Sequence, residues 1–373
     1  MPSIHCIREC EIEETFRVHQ VMGMLDVPLA TAKTESFSID VPGIDEDWRI
    51  GAIIGPSGSG KTTVARVAFG SKALRTPKWS PSRAMIDHLG DRPIEEIMRV
   101  LTSVGLGSAP SWLRPYHVLS CGEQFRAQMA RRLLSEEPVT VCDEFTSPLD
   151  RTLARNLSIA ISRHLRREGC SSRFIAIASH IDVLPWLAPD WTLDMSTQSL
   201  QWRRLRRPPL HFAVRRCHRS LWSRFAKHHY LSGSLACAAK CYAALEQNEP
   251  IAFCAVISML GRPEIHRITR LVTLPNYQGL GIGGKLLDLV ARAERDEGYR
   301  VHITTSHPGL ASFLDHSRHW RSRGRRLVTD APRQVGNCLL QTSRGRLTAT
   351  FEFTPQPPSL AVTLDPAIHL ARA

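Results

Sequence analysis

Eight consecutive residues, Gly55-Pro56-Ser57-Gly58-Ser59-Gly60-Lys61-Thr62, restrict what this chain can fold into more than any other feature. They follow an apolar run, Ile50-Gly51-Ala52-Ile53-Ile54, and lead into a helical pattern from about Lys61. The glycines let the backbone curl so that successive N–H groups converge on one anion, and the helix start adds the positive end of its dipole. Lys61 offers a point charge to β- and γ-phosphates, and the Thr62 hydroxyl offers a hard oxygen to Mg²⁺. Gly55, Ser57, Gly58, Gly60, Lys61, Thr62 and Thr63 are therefore the expected ATP contacts. Strand, loop and helix in this order place the first half in the α/β class.

A second acidic element supports the first. Val139-Thr140-Val141-Cys142 reads as an apolar strand ending in Asp143-Glu144. Two adjacent carboxylates at a strand end can divide the work: Asp143 suits the Mg²⁺, and Glu144 suits the base that polarises an attacking water.

Two further segments complete an ordered set. Leu119-Ser120-Cys121-Gly122-Glu123-Gln124 precedes a helix expected over Phe125–Ser135, and Ser147-Pro148-Leu149-Asp150 follows the acidic pair. Ser179-His180 then ends the apolar run Phe174–Ala178. Over residues 1–195 the set resembles the ATP-binding-cassette (ABC) ATPases, whose fold is a mixed sheet with helices. The resemblance implies that two cassettes sandwich ATP head to tail, so a homodimer through this domain is expected. It also implies that Ser120 and Gly122 contact the γ-phosphate held by the partner, and that His180 holds the γ-phosphate and the catalytic water. Cys121 departs from the family's usual glycine, and Glu123 from its glutamine. Only 59 residues separate Lys61 from Ser120, and the usual intervening glutamine is missing, with Asp87 the nearest substitute. The shortened insert argues against a permease partner.

Charge divides the chain. Residues 1–200 carry 22 Lys+Arg against 24 Asp+Glu, whereas residues 201–373 carry 26 against 11, so the net +13 belongs to the second half. A polyanion, nucleic acid above all, is the partner such a balance suggests. The ten cysteines are scattered with no C-x-x-C pair, which favours reduced thiols over a disulfide scaffold or metal site. No run approaches the ~20 apolar residues that span a bilayer, and the N-terminus lacks a secretory pattern. A cytoplasmic protein without a membrane partner is expected. The basic stretch 196–210, ending in Pro208-Pro209, reads as a linker.

The centre of the second half is Arg267-Ile268-Thr269-Arg270-Leu271-Val272-Thr273-Leu274-Pro275-Asn276-Tyr277-Gln278-Gly279-Leu280-Gly281-Ile282-Gly283-Gly284. A strand enters a glycine-rich turn, a helix to about Glu297 follows, and a second strand covers Val301–Thr305. This is another anion cradle at a helix start. A Rossmann dinucleotide loop is the rival reading. It is disfavoured by the strand-plus-proline approach and by the absence of an acidic residue ending the following strand. Residues 211–330 resemble the GNAT acyltransferases, an α+β fold. The resemblance implies that Gln278, Gly279, Gly281, Gly283 and Gly284 bind the pyrophosphate of acetyl-CoA or a related CoA thioester, with Leu271, Val272 and Thr273 along the pantetheine arm. The family's usual tyrosine acid is absent after the second strand, leaving Ser306 or His307, or the cluster His228-His229-Tyr230, as candidates. Ser306 and Tyr230 are the residues expected to act.

Trp222-Ser223-Arg224-Phe225-Ala226-Lys227-His228-His229-Tyr230-Leu231, together with the run through Gln278 and Gly279, resembles the Mom-type acyltransferases of phages. That resemblance implies modification of adenine in DNA. Two alternatives remain open: a transporter ATPase subunit with an appended domain, and an ATP-switched nucleic-acid binder whose second domain is not catalytic. Residues 331–373 read as an extension that adds an edge strand or none.

Overall fold

A computed structural model describes residues 3–9, 12–29, 34–167, 170, 172–229, 234–327, 334–335, 338–339 and 346–354. The chain forms two compact units that interleave in sequence: Met1–Lys78 with Ser135–Pro208, and Trp79–Leu134 with Pro209–Ala373.

In the first unit, β1 (Ser3–Glu9) and β2 (Thr34–Asp40) pair antiparallel. A five-stranded sheet holds β3 (Ile50–Ile54), β4 (Val139–Cys142), β5 (Arg173–Ala178), β6 (Trp191–Asp194) and β7 (Ser199–Gln201) in the order β4-β5-β3-β6-β7. All neighbours run parallel except β6 and β7. A parallel sheet is covered on both faces, and β3 and β4 are buried at every position, which is why they read as unbroken apolar runs. The helix Arg151–Leu165 buries Leu153, Leu157, Ile161 and Leu165, a stripe of period 3.6, and Asp150 caps it by accepting from the Leu153 N–H. Trp48, Phe69 and Trp191 meet edge-on or stacked beside the sheet, and a Cβ at Gly51 would enter the Trp191 ring. The basic stretch expected as a linker is partly built into this unit. Ser199–Gln201 is strand β7, and Arg207 donates to the Trp186 carbonyl and the Ser162 hydroxyl.

The second unit is a seven-stranded sheet of β8 (Ala213–Arg216), β9 (Lys240–Glu246), β10 (Glu249–Met259), β11 (Arg262–Thr273), β12 (Arg300–Thr305), β13 (Trp320–Leu327) and β16 (Leu347–Phe353). A two-stranded hairpin of β14 (Gln334–Val335) and β15 (Cys338–Leu339) lies between β13 and β16 in sequence. The sheet order is β13-β16-β12-β11-β10-β9-β8, antiparallel except for β11 and β12. This antiparallel meander is not a Rossmann sheet, in agreement with the disfavouring of a dinucleotide loop. Gln247 and Asn248, with φ of 50° and 68°, make the two-residue turn between β9 and β10. Strand β16 sits inside the sheet rather than at its edge, because β13 reverses and pairs outside it. Its Glu352, buried, accepts from Arg300 at 3.0 and 3.2 Å and from Arg323, and those cations hold its carboxyl at about 2 against the raising effect of burial.

The same unit contains the helices Ile94–Ser103, Ala109–Trp112 and Cys121–Leu133. Trp79 stacks on Tyr116 at 4.4 Å and lies beneath the Arg131 guanidinium. No helix among the described residues is long and apolar enough to cross a membrane.

Candidate functional sites

The first site lies along one edge of the parallel sheet. The turn Gly55–Gly60 follows β3, Asp143 and Glu144 follow β4, and Ser179 and His180 follow β5. Because β4, β5 and β3 are parallel neighbours, these three groups leave the sheet at the same, carboxyl, edge. Gly55, Gly58 and Gly60 have φ of 148°, 82° and 86°. A Cβ at Gly55 would come within 2.9 Å of the Met195 Cβ and the Ser59 Oγ, so the turn tolerates no side chain there. Lys61, 6% exposed, donates from Nζ to the carbonyls of Gly55 at 2.8 Å and Pro56 at 2.7 Å, which places the ammonium within the turn. Thr63, beside Thr62 in the first turn of the helix, is half-buried, while Ser57 is exposed on the loop.

Thr62 Oγ1 donates to Asp143 Oδ2 at 2.9 Å across 81 residues of sequence. A hydroxyl and a carboxylate at this separation form the all-oxygen donor pair that Mg²⁺ takes. The buried Ser59 Oγ in the same turn has no hydrogen-bond partner among the described residues. The residues therefore fit a magnesium-bound triphosphate. Glu144 donates its N–H to Asp143 Oδ1 and accepts from the Ser147 hydroxyl at 2.7 Å, and its φ of 50° lies in the left-handed region. His180 is exposed at the end of β5.

Ser120 and Gly122 lie in the second unit, at the start of the helix Cys121–Leu133. The helix begins four residues before the expected Phe125 because Ser120 and Glu123 form a capping box: Glu123 Oε2 accepts from the Ser120 N–H at 3.0 Å and from its hydroxyl at 2.9 Å. This explains the glutamate in the signature. Burial would raise the Glu123 carboxyl, but hydrogen bonds from Ser111 and Ser120 and the Arg126 charge hold it below the usual range. Replacing Glu123 by Ala is expected to cost about 1 kcal/mol of stability, read as a lowered urea midpoint at pH 7. An unchanged midpoint would refute the cap. Asp87 lies in the turn Met85–His88 of the second unit.

The second site is a parting of the seven-stranded sheet. Strands β11 and β12 pair from Ile265 with Arg300 to Ile268 with Ile303, and no further. Beyond that point β11 stays on β10 as far as Thr273, and β12 stays on β16 as far as Thr305. A bulge at Thr269 bends β11 at the point of divergence. The backbone of Leu271, Val272 and Thr273 therefore borders a cleft between two parallel strands. Below it, Gly279 and Gly281 adopt φ of 75° and 78°, and Gly281 caps the helix Ile282–Asp296. At Gly283 a Cβ would lie 3.0 Å from Thr273 Oγ1, and at Gly284 2.7 Å from the Phe313 ring. Gln278 behaves differently from the expectation that it faces the carrier: its Oε1 accepts from the Gly107 N–H at 2.7 Å and its Nε2 donates to the Thr273 carbonyl.

Ser306 follows directly on β12 and is half-buried. His307 caps the helix Pro308–Asp315, accepting from the Leu310 N–H, and burial lowers its pKa. Burial also lowers that of His228. Tyr230 lies outside the described residues. No group of three metal-ligating side chains occurs among the described residues.

Sequence reading missed one buried cluster. Glu294, on the helix Ile282–Asp296, is fully buried and accepts from Tyr242 at 2.6 Å, His266 at 2.5 Å and Lys240 at 3.1 Å. Its signal was present: Leu287, Val290, Ala291 and Glu294 continue one helical stripe, and a carboxylate on such a stripe needs partners.

Two groups of known proteins are similar to parts of this chain. Residues 200–313 match the family model "Acetyltransferase (GNAT) family". Part of the chain is similar to ABC-type ATP-binding proteins. It is 27% identical over 195 residues to the zinc import ATP-binding protein ZnuC of Pseudomonas putida, covering 47% of this chain and 70% of that one. It is 27% identical over 133 residues to the ribosome protection protein VmlR of Bacillus subtilis, covering 30% of this chain but only 24% of that one. The dimeric ABC transporter cassette MJ0796 superposes on 43% of this chain and 84% of its own, at 16% identity and a TM-score of 0.34. The chain thus combines mixed α/β architecture with similarity to ABC ATP-binding proteins and, over residues 200–313, a match to the GNAT family model.

Proposed function

We propose that this chain is an ATP-hydrolysing cassette coupled to a CoA-dependent N-acyltransferase that modifies a nucleic-acid base, with DNA adenine the first candidate. The observation that carries the reading is the pairing of two anion cradles of different build. One is the glycine turn with Thr62 and Asp143 in hydrogen-bond contact. The other is the Gly279–Gly284 turn beneath the parted β11 and β12. At the first, Lys61 and the turn's N–H groups bind phosphate, Thr62 and Asp143 hold Mg²⁺, Glu144 takes a proton from the attacking water and His180 orients it. Two copies of the chain close on ATP, with Ser120 and Gly122 of each completing the other's site.

At the second cradle the N–H groups of Gly281, Gly283 and Gly284 hold the pyrophosphate of the CoA thioester. The edge of Leu271–Thr273 that β12 leaves unpaired carries its arm. The acceptor amine forms a bond to the thioester carbonyl carbon and gives up a proton, the carbon–sulfur bond breaks, and the leaving thiolate takes a proton. Ser306, immediately beyond the parted end of β12, is the residue assigned to supply the thiolate's proton, and Tyr230 the residue assigned to the acceptor amine. Nucleic acid is favoured as the acceptor by the basic second half and by the edge strand β13, where Arg321, Arg323, Arg325 and Arg326 are all exposed.

The deciding experiment is mass spectrometry of nucleosides from cells expressing the protein. An acylated nucleoside is expected with the wild type and not with Gly281→Glu. That variant puts a carboxylate in an anion cradle at a left-handed φ, which should weaken acetyl-CoA binding roughly tenfold or more. Nucleosides identical in the two strains would refute base modification. Acetyl-CoA binding that is equal in the two purified proteins would refute the second cradle.

A further inference from the structure

Residues 79–134, which carry the cassette's signature, lie against the acyl-carrier cleft within one compact unit. They touch both of its lips. On the β11 side, the Gln278 carboxamide ties three pieces of chain together: the Gly107 N–H, its own turn, and the Thr273 carbonyl at the end of β11. The fit is close, since a Cβ at Gly107 would lie 2.5 Å from Gln278 Oε1, and one at Gly105 3.0 Å from the Pro275 carbonyl. Arg126, 5% exposed, reaches from the signature helix to Asn276 Oδ1 at 3.3 Å. On the β12 side, the helix Pro308–Asp315 packs against the helix Ile94–Ser103. The same Pro308–Asp315 helix supplies Phe313, which covers Gly284 in the pyrophosphate turn.

We infer that Gln278 and Arg126 are positioning residues that tie the width of the acyl-carrier cleft to the state of the signature segment, so that the nucleotide bound by the cassette regulates affinity for the CoA thioester. The inference rests on the function proposed above. Its physical basis is that one packed segment contacts both lips of a cleft whose strands share no hydrogen bonds past Ile268 and Ile303. Any displacement of Ser120 on closing over ATP must move Arg126, which shares its helix, and with it Asn276 and the turn. Coupling of this kind is reciprocal: if nucleotide changes acetyl-CoA affinity by some factor, acetyl-CoA changes nucleotide affinity by the same factor.

The test is calorimetric titration of acetyl-CoA into the full-length protein with and without the non-hydrolysable analogue AMP-PNP and Mg²⁺. For the wild type the dissociation constant is expected to change about fivefold or more on adding the analogue. The reverse titration should show the same ratio. Asn276→Ala, at an exposed residue whose loss leaves the core intact, and Arg126→Met should each shrink the ratio below about twofold, while Arg126→Lys should restore part of it. A general structural role would weaken acetyl-CoA binding with and without nucleotide alike and leave the ratio unchanged. A wild-type ratio near one, or a full ratio in both variants, overturns the inference alone. Failure of the wild type to bind acetyl-CoA under any condition overturns the transferase reading beneath it.

Discussion

Glu144→Gln is expected to slow ATP hydrolysis by about 10²–10⁴-fold while leaving ATP affinity within roughly threefold of wild type. The two carboxylates after β4 are differently engaged, and this separates binding from chemistry. Asp143 is committed on both oxygens, to the Thr62 hydroxyl and to the Glu144 N–H. Glu144 is exposed and its carboxylate accepts from the Ser147 hydroxyl at 2.7 Å, so it remains able to take a proton. Its backbone is held at φ of 50°, with Thr146 at 67°, conformations that cost on the order of 1 kcal/mol each and persist where surrounding structure imposes them. The amide of glutamine keeps the shape and the Ser147 contact but removes the basic oxygen. Asp143→Asn should instead weaken Mg²⁺-dependent ATP binding itself, because it removes a charge from the metal pair. Phosphate release and equilibrium ATP binding measured on the same preparations distinguish the two variants. A Glu144→Gln protein that hydrolyses ATP at the wild-type rate would remove this residue from the role assigned to it.

The strands that carry the first site were legible because physics makes them monotonous. Ile50–Ile54 and Val139–Cys142 are buried on both faces, so every position is apolar or small and the ends are sharp. The signature helix was misread at its start, although Ser120 and Glu123 already spelled a capping box. Strand β13 was invisible for the opposite reason. Its sequence Trp-Arg-Ser-Arg-Gly-Arg-Arg-Leu buries only Trp320, so no alternation marks it as a strand. Strand β16 does alternate, but the prolines from Pro355 onward disguised it as a tail. The association of residues 79–134 with the seven-stranded sheet could not be read at all. It depends on single long-range contacts such as Gly107 with Gln278, separated by 171 residues, and a glycine and a glutamine carry no pattern that announces each other.

Glu294→Ala is expected to destabilise the second unit by about 3–5 kcal/mol, a large share of the ~5–15 kcal/mol that holds a domain folded. The carboxylate joins the helix Ile282–Asp296 to β9 through Lys240 and Tyr242 and to β11 through His266. Arg216 of β8 donates onward to the Tyr242 hydroxyl, Ser258 of β10 lies 3.1 Å from His266 Nε2, and Tyr299 stacks on the imidazole. Alanine would leave a buried phenol and imidazole without their acceptor, and Lys240 with Glu297 as its remaining carboxylate. Glu294→Gln keeps the volume and one acceptor oxygen but presents an NH₂ to donors, so its loss should be smaller. The pH dependence follows from the sign of the shift. Burial opposes ionisation of Glu294, yet the donors from Tyr242, His266 and Lys240 hold its pKa below the ordinary 4.5. The stability it confers is therefore present above pH ~4.5 and is lost as pH falls through the lower folded value. Urea midpoints at pH 7 should differ strongly between wild type and Glu294→Gln, and the gap should narrow in acid below pH ~4. A gap that stays constant across that range would mean that the charge of Glu294 contributes nothing and that packing alone fixes the helix to the sheet.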